Sequence, residues 1–384
     1  MIAIGIGVAA LIFARGWIDG VTSAIREYAT DSRLGALQVH AAGYSNVTEL
    51  LPVNLHLAHS AELAGRVAKQ PAVTAVTERI QFAGSLSNGD QDTLVLATAI
   101  DPDGEAKVCP SFLVADLRAG RLLTNKDTTS IVVGAELAAG MKLQPGSQVT
   151  LEARTVGGQL NAIDVDVVGV AASSLPDEGK WLVVMPLVTA RQLVGMEDDA
   201  GATTLVVRLD HLERASDVAR VLGTALGPTY EVQSWREVGA YFDQAIRTFG
   251  KAQSLLLIIV GLLAVLVVAN TQMLSASERT KEIGTLTALG APRKFIRRMF
   301  TLESFLLGLF ASVIGAIVGS LACVITARIG IPFKPPNQPV VLVHPIASLG
   351  SAVIWAGVAI AVAVVGALIP SWLASRKHPL EALK

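Results

Sequence analysis

The residues of this chain that could do chemistry are concentrated in one basic segment between two long apolar runs. Residues 277–303 read SERTKEIGTLTALGAPRKFIRRMFTLE, and only Glu278 and Glu282 oppose the basic side chains before Glu303. Cations beside an apolar helix face can lie on anionic lipid, or they can bind a complementary face of a cytoplasmic protein. The residues alone leave both interpretations open. The basic residues are Arg279, Lys281, Arg293, Lys294, Arg297 and Arg298.

Within this segment, Gly290-Ala291-Pro292 predicts a turn between two short helices. Gly favours the C′ position after a helix, and Pro favours the first position of the next one. Apolar residues recur at spacing three before the turn, and an apolar face with basic residues at i,i+4 follows it. The candidate contact residues are Glu278, Arg279, Lys281, Glu282, Ile283, Leu286, Leu289, Gly290, Arg293 and Arg297.

Other chemistry is disfavoured by the sequence. The Gly-Lys pairs at 179–180 and 250–251 lack the further Gly and the Ser/Thr of a phosphate loop, so we expect no ATP hydrolysis by this chain. No His or Cys spacing is typical of a metal site, and no nucleophile motif is present. We expect neither a metal nor another cofactor. A net charge of −1 gives no indication of nucleic-acid binding.

Three uncharged runs are long enough to cross a membrane, which takes about 20 apolar residues. They cover 253–274, 304–327 and 348–374. The apolar run at the amino terminus is shorter and ends before Arg15. It is either part of a signal peptide or, as we favour, a first membrane helix over residues 1–17 whose cytoplasmic half is missing.

The distribution of cations predicts the orientation. Lys and Arg are frequent in 275–303 and in the carboxy-terminal tail, whereas 328–347 holds only Arg328 and Lys334. Because cytoplasmic loops carry the excess of positive charge, 275–303 and the tail are expected in the cytoplasm. Residues 18–250 then form an exported domain, and 251–384 form a three-helix membrane domain around the cytoplasmic loop.

The exported domain is predicted to be mixed α+β. Short β-rich runs alternate with helix-like pieces, and Asn88-Gly89 and Gly157-Gly158 are plausible hairpin turns. The acidic stretch around Asp101, Asp103 and Glu105 lacks the remaining ligands of a calcium loop, so we expect a solvated turn there.

Residues 236–252 are amphipathic and continue into the second membrane helix without Pro. A continuous helix of about 40 residues, roughly 60 Å long, is expected to link the exported domain to the cytoplasmic surface. It is either a stalk that carries motion or a juxtamembrane helix that ends the domain.

Two motifs resemble the MacB/FtsX/LolC–LolE family of ABC-transporter membrane subunits. The first, in the basic segment, follows the family pattern Arg-x-x-Glu-Ile-Gly-x-x-x-Ala-x-Gly-Ala with a later Glu. Its matching residues are Arg279, Glu282, Ile283, Gly284, Ala288, Gly290, Ala291 and Glu303. The second is carboxy-terminal, and its matching residues are Pro370, Ala374, Pro379, Glu381, Ala382 and Leu383.

The resemblance implies four membrane helices with a large periplasmic domain between the first two, in the bacterial inner membrane. It also implies that the basic segment contacts a separate cytoplasmic ABC ATPase, which binds the ATP, and that a second copy or a paralogous permease pairs with this chain. ATP-driven movement of the segment would then be passed through the second helix to the periplasmic domain. In the exported part, AIDP at 99–102 followed by GAELA at 134–138 looks most like the LolC–LolE branch, so the resemblance favours lipoprotein release to a periplasmic acceptor. Macrolide or peptide efflux and cell-division regulation are the alternatives within the family.

Two further classes of function are weaker. A membrane-anchored sensor would need a cytoplasmic signalling domain, for which the tail after Ala374 is too short. An anchored extracellular enzyme would need a catalytic set. The third helix also carries Gly315 and Gly319 at the spacing that permits close helix approach, either within one subunit or at a dimer seam.

Overall fold

Four long helices and a large sheet dominate the computed structural model, which describes residues 2–46, 51–113, 117–173, 178–278, 285–286, 289–333 and 341–374. Contacts divide the chain into two units. The helical unit is built from Met1–Ala24, Ala245–Phe333 and the chain from Val341 onward. The β-rich unit is built from Ile25–Gln244.

The α-helices of the described residues are α1 Ile2–Ala29, α2 Ser60–Val67, α3 Pro102–Val108, α4 Pro110–Leu113, α5 Ala135–Met141, α6 Leu187–Val194, α7 Ala215–Leu226, α8 Trp235–Val238, α9 Ala240–Glu278, α10 Arg293–Ile329 and α11 Leu349–Ala374. The strands are β1 Leu37–Ala41, β2 Val73–Ser87, β3 Asp92–Ile100, β4 Leu117–Gly120, β5 Ser130–Gly134, β6 Gln148–Arg154, β7 Leu160–Ala171, β8 Leu182–Pro186, β9 Thr204–Leu209, β10 Tyr230–Ser234, β11 Ile331–Phe333 and β12 Val341–Val343.

Four helices among the described residues are long and apolar enough to cross a membrane, as the sequence predicts. The candidate spans are Gly5–Leu34, Phe242–Thr271, Arg297–Ile329 and Leu349–Gly366. The first helix is longer than its apolar run, because α1 continues without interruption to Ala29.

The helices at either end of the basic segment differ from expectation. The long helix before it, α9, has 39 residues, but it begins at Ala240 because Gly239 ends the short helix α8. The long helix after it, α10, runs unbroken for 37 residues from Arg293. A separate short helix after the turn was therefore the wrong prediction: that segment is the first part of the third long helix.

In the β-rich unit, the strands of the described residues form a mostly antiparallel sheet in the order β10-β1-β9-β2-β3-β8-β5-β7-β4, with β6 pairing to β2 and β7. The pairs β3–β8 and β5–β7 are parallel. The two predicted hairpins are present, and Gly89 and Gly158 adopt φ +88° and +83° in their turns. The mixed α+β prediction is confirmed.

The core of this unit follows the two-residue period of the strands. Along β2, Ile80, Phe82 and Leu86 are at most 1% exposed, and they join the largest buried cluster together with α5 and α6. Side chains on one face of a strand alternate with those on the other, so the neighbouring residues of β2 point away from this cluster.

The prediction of a solvated turn at Asp101 was wrong. Asp101 is the N-cap of α3, and its carboxylate accepts a hydrogen bond from the Gly104 N–H at 3.0 Å. Pro102 occupies the first helical position, where its missing N–H has no cost. Glu105 is 0% exposed, because α3 lies over β2 and buries this side.

A buried polar group on β1 makes the β-rich unit sensitive to acid. His40 is 3% exposed, it stacks on Tyr44 with ring centroids 4.2 Å apart, and its Nε2 lies 3.2 Å from Oε1 of Gln38. Burial lowers the pKa of His40 to about 4, although a hydrogen bond to the Thr203 carbonyl partly offsets the effect.

We predict that acid destabilises the β-rich unit through His40. Its pKa in the folded state lies below the unfolded value of about 6.5, so the stabilisation is complete above pH 6.5 and is lost as the pH falls toward 4. The free energy of unfolding should fall by up to about 1.4 kcal/mol per pH unit in this window. Hydrogen exchange of the β1 amides in the full chain, at pH 7 and pH 5, measures this.

The variant His40→Gln should flatten the pH dependence, while His211→Gln, which changes an exposed histidine, should leave it unchanged. An identical slope in His40→Gln and in the unmodified chain would contradict the assignment.

Candidate functional site

The basic segment joins the two longest helices of the described chain. Helix α9 ends at Glu278, whose side chain is exposed, and α10 begins at Arg293. Between them, Leu286 is half-buried and Leu289 is 81% exposed. The other predicted contact residues before the turn, Arg279, Lys281, Glu282 and Ile283, lie outside the described residues.

The turn itself has the predicted glycine geometry. Gly290 has φ +89°, and the Leu286 carbonyl accepts the Ala291 N–H at 3.0 Å. A bond that spans five residues around a left-handed glycine is the Schellman end of a helix, so Gly290 at C′ is confirmed. The prediction that Pro292 is the first residue of the next helix was wrong by one position: Pro292 is the N-cap, and the helix begins at Arg293.

The first turns of α10 present basic and apolar side chains together. Lys294, Arg297 and Arg298 are exposed, and Phe295 is 52% exposed. With Leu289, these residues form a surface that we call the docking surface. It can bind a partner that offers carboxylates around an apolar depression, since the cations supply orientation and the buried apolar area supplies affinity.

The predicted glycines of α10 lie against α1 of the same chain. A β-carbon at Gly315 would lie 2.6 Å from the carbonyl oxygen of Gly5, and one at Gly319 would lie 2.7 Å from that of Ala9. These distances leave no room for a side chain. Of the two alternatives for this motif, the structure has packing within one subunit.

A second pair of glycines in the helical unit was missed by sequence analysis. The Ile346 N–H donates to the Gly16 carbonyl at 2.9 Å, and a β-carbon at Gly20 would lie 2.6 Å from the His344 carbonyl oxygen. The segment after β12 therefore rests directly on the backbone of α1. The four-residue spacing of Gly16 and Gly20 was a signal, but both follow the apolar run that ends before Arg15, and Gly20 lies outside the first helix predicted over residues 1–17.

An apolar groove of about 540 Å³ lies between α1, α9 and α11. Its wall is formed by side chains such as Val8 and Leu11 of α1, Leu257 of α9 and Val358 of α11. Sites for small ligands have volumes of roughly 300–1,000 Å³ and mostly apolar walls with a few polar groups. This groove can therefore hold an elongated apolar group.

The charged member of the groove wall is Arg15. Its guanidinium pairs with Asp19 one turn later, with nitrogen–oxygen distances of 3.1 and 3.0 Å. Arg15 directly follows the apolar run of α1 and its side chain is 41% exposed, and a long basic side chain at the end of an apolar run can extend its charge toward polar head groups. Arg15 can orient an anionic or polar head group whose chain lies in the groove.

The β-rich unit holds a buried ion pair that sequence analysis also missed. Arg79 and Glu105 are 1% and 0% exposed, and Arg79 Nε donates to Glu105 Oε2 at 2.9 Å. The Asp-Pro pair before Glu105 was the available signal, since Asp at the N-cap and Pro at N1 start a helix. Among the described residues, no group of three or more His, Cys, Asp or Glu side chains could hold a metal.

Comparison with known families accounts for nearly the whole chain. The MacB-like periplasmic core domain matches residues 1–225, which is more than half of the chain. The FtsX-like permease C-terminal domain matches residues 254–379 and so includes the docking surface.

Individual relatives are distant. The lipoprotein-releasing system transmembrane protein LolC of Xylella fastidiosa (strain Temecula1) is 22% identical over 358 residues, which cover 87% of this chain and 86% of LolC. The macrolide export ATP-binding/permease protein MacB of Wolinella succinogenes is 23% identical over 405 residues, covering 100% of this chain and 57% of MacB. The ABC transporter permease YtrF of Bacillus subtilis is 40% identical over 79 residues, covering 20% and 18%.

We predict that the contact between α10 and α1 cannot accept a side chain. Gly319→Leu should push the two helices apart and destabilise the helical unit by about 1–3 kcal/mol, the usual effect of overpacking. Thermal unfolding of the full chain in lipid nanodiscs measures the change. Gly357→Leu is the matched control, because nothing lies within 4 Å of a β-carbon there. Equal stability of the two variants would contradict the contact.

Proposed function

We propose, because this chain belongs to the MacB/FtsX/LolC family of ABC-transporter permeases, that it couples ATP hydrolysis by a separate cytoplasmic ATPase to movement of its β-rich periplasmic unit. This movement would drive lipoprotein release from the bacterial inner membrane. The apolar groove between α1, α9 and α11 supports a lipoprotein as the substrate. The docking surface supports an ATPase as the partner.

A separate ATPase is supported by the name of the LolC relative. The relatives named "ATP-binding/permease" extend well beyond the matched region, since the chain corresponds to 57% of the Wolinella MacB. LolC, of which 86% is matched, is named a transmembrane protein only. A neighbouring reading frame that encodes a phosphate-loop ATPase would support the proposal directly.

The docking surface would receive this ATPase. Leu289 and Phe295 are large apolar side chains left in contact with solvent, and Lys294, Arg297 and Arg298 surround them with positive charge. Exposed apolar residues rimmed by polar ones are typical of protein interfaces. Movement of this surface would pass into α10, which starts at Arg293, and into α9, which ends at Glu278.

The groove would receive the lipid part of the substrate. Its wall is almost wholly apolar, and Arg15 lies beside it with its ion-pair partner Asp19. An acyl chain can enter the groove from the surrounding lipid and pack against such a wall, while the polar head stays near the guanidinium. A second copy or a paralogue would complete the permease. Macrolide export, named for the MacB relatives, is the alternative use of the same groove.

We predict that Leu289→Glu weakens ATPase binding by about tenfold, or about 1.4 kcal/mol, because it puts a carboxylate into the apolar centre of the interface. Binding of the purified ATPase to the full chain in nanodiscs measures this. Val221→Glu changes an exposed apolar residue of the β-rich unit and should have no effect. Unchanged ATPase affinity in Leu289→Glu would contradict the docking role.

We also predict that Gly7→Phe fills the groove. Gly7 lines the groove and has no atom within 4 Å of its β-carbon position, so a side chain introduced there meets no clash at its β-carbon and its ring takes up space in the groove. Release of a labelled lipoprotein from proteoliposomes should fall by about tenfold, while ATPase binding stays the same.

Gly357→Phe is the control for this experiment, since Gly357 has equal space but is not part of the groove wall. Full lipoprotein release by Gly7→Phe, together with loss of macrolide binding, would contradict lipoprotein release and favour the export function.

A further inference from the structure

The segment that follows α1 is a π-helical turn, Thr30–Leu34, which we call the exit turn. Its closing bond runs from the Gly35 N–H to the Thr30 carbonyl at 3.0 Å, and Gly35 has φ +62°. π-helical turns are rare, and they occur frequently at functional sites. The exit turn belongs wholly to the β-rich unit.

The backbone of the exit turn is held by two side chains from elsewhere in the β-rich unit. Arg79 Nη1 donates to the Arg33 carbonyl, and the Cys109 thiol donates to the Thr30 carbonyl at 3.3 Å. The Arg33 carbonyl is one that a helix end leaves without an intrahelical partner, whereas the Thr30 carbonyl accepts the thiol in addition to the Gly35 N–H.

Ion pairs hold the side chains of the same turn. Arg208 Nη1 lies 3.3 Å from Asp31 Oδ1 and also donates to the Val108 carbonyl at 3.1 Å. Arg33 pairs with Glu178. The exit turn is therefore held by Arg208 of β9, which also contacts α3, and by Glu178 of the segment before β8.

Arg79 can be buried beside the exit turn and donate to the Arg33 carbonyl because the carboxylate of Glu105 balances its charge. Burial alone would lower the pKa of Arg79, but the adjacent carboxylate of Glu105 more than offsets this and raises it, so the guanidinium stays charged. Phe112 covers the guanidinium, with 5.2 Å between its central carbon and the ring centroid. A buried ion pair is an inefficient source of stability, because desolvation costs several kcal/mol per ion. The ion pair instead holds the Arg79 guanidinium in a fixed orientation, in which it donates to the Arg33 carbonyl.

The exit turn also contacts the segment through which the chain leaves the β-rich unit. The Trp235 N–H donates to the Ala36 carbonyl at 3.0 Å, and a β-carbon at Gly239 would lie 2.4 Å from Leu34 Cδ1. Gly239 is the residue directly before α9. The turn after α1 and the start of α9 are thus held together.

We propose that Arg79 and Glu105 are positioning residues that fix the exit turn to the β-rich unit, so that movement of α1 is transmitted to that unit. The inference rests on the proposed function, in which this unit moves when ATP is hydrolysed. Neither residue contacts substrate. The pair acts through the Arg33 carbonyl.

The test replaces the pair as a whole. The double variant R79M/E105L removes the contact to the Arg33 carbonyl but leaves no unpaired charge in the core, so it should remain folded. Nitroxide labels at the exposed positions 27 and 107 report the distance between the end of α1 and α3 in the full chain in nanodiscs. The native Cys109 and Cys323 are buried, so they stay unlabelled.

The control is the double variant R191M/E78L. This pair is also partly buried, with 3.3 Å between Arg191 Nη2 and Glu78 Oε2, but its further backbone contact is the Gly201 carbonyl. It does not touch the exit turn. Any general effect of losing an ion pair should appear in both variants.

In R79M/E105L we expect the distance distribution to broaden by about twofold, since the exit turn loses the hydrogen bond from Arg79 to the Arg33 carbonyl while its other contacts remain. In the control it should match the unmodified chain. Lipoprotein released per ATP hydrolysed should fall by about fivefold in R79M/E105L with an unchanged ATPase rate. An unchanged distance distribution, or a broadened one with unchanged release per ATP, would overturn the proposal.

These outcomes are separate from failure of the proposed function. If the unmodified chain released no lipoprotein, the proposed function would fail. The label distances, which need neither substrate nor ATPase, would still support or overturn the positioning role of Arg79 and Glu105.

Discussion

The helical unit depends on the close approach of helix backbones at small residues. Lipid gives no hydrophobic driving force between helices, so contact area and fit decide how they associate. Helix α10 uses Gly315 and Gly319 toward α1, and Gly308 toward Ala363 of α11. Helix α9 keeps many large apolar side chains exposed, among them Leu262 and Leu266. Because α10 packs closely through glycines and α9 does not, an open groove remains between α1, α9 and α11.

The unbroken course of α10 changes how the proposed coupling would operate. Two short helices in the loop would need a hinge before the third span, and force on the loop would be absorbed there. Instead, the exposed cations Lys294 and Arg297 stand on the same helix as Gly315 and Gly319. A displacement at the docking surface would therefore act along one helix on the contact with α1.

The β-rich unit buries an ion pair at a place where apolar side chains would give a lower desolvation cost. Arg79 and Glu105 lie in its interior, yet hydrophobic residues of similar size would avoid the desolvation cost. A guanidinium has a planar set of donors that can reach a carboxylate and a carbonyl together, which no apolar side chain can do. The pair therefore specifies the geometry of the exit turn.

The sequence by itself determined the spans, their orientation, the α+β character and the hairpin turns at Gly89 and Gly158. These features depend on local hydropathy, on charge counts and on backbone freedom at single residues. It also identified Gly290 at the end of a helix, because only glycine adopts φ +89° there without strain. The family motifs could also be identified from the sequence, because each is a pattern of residues that are close together along the chain.

Only the tertiary structure decided which surfaces meet. The sequence around Glu105 has the composition of a solvated turn, but its partner Arg79 is 26 residues away and both are buried by α3 and β2. Likewise, the spacing of Gly315 and Gly319 permits close packing without naming the partner helix. The environment of a charge and the partner of a helix face depend on non-local contacts, and no local pattern encodes them.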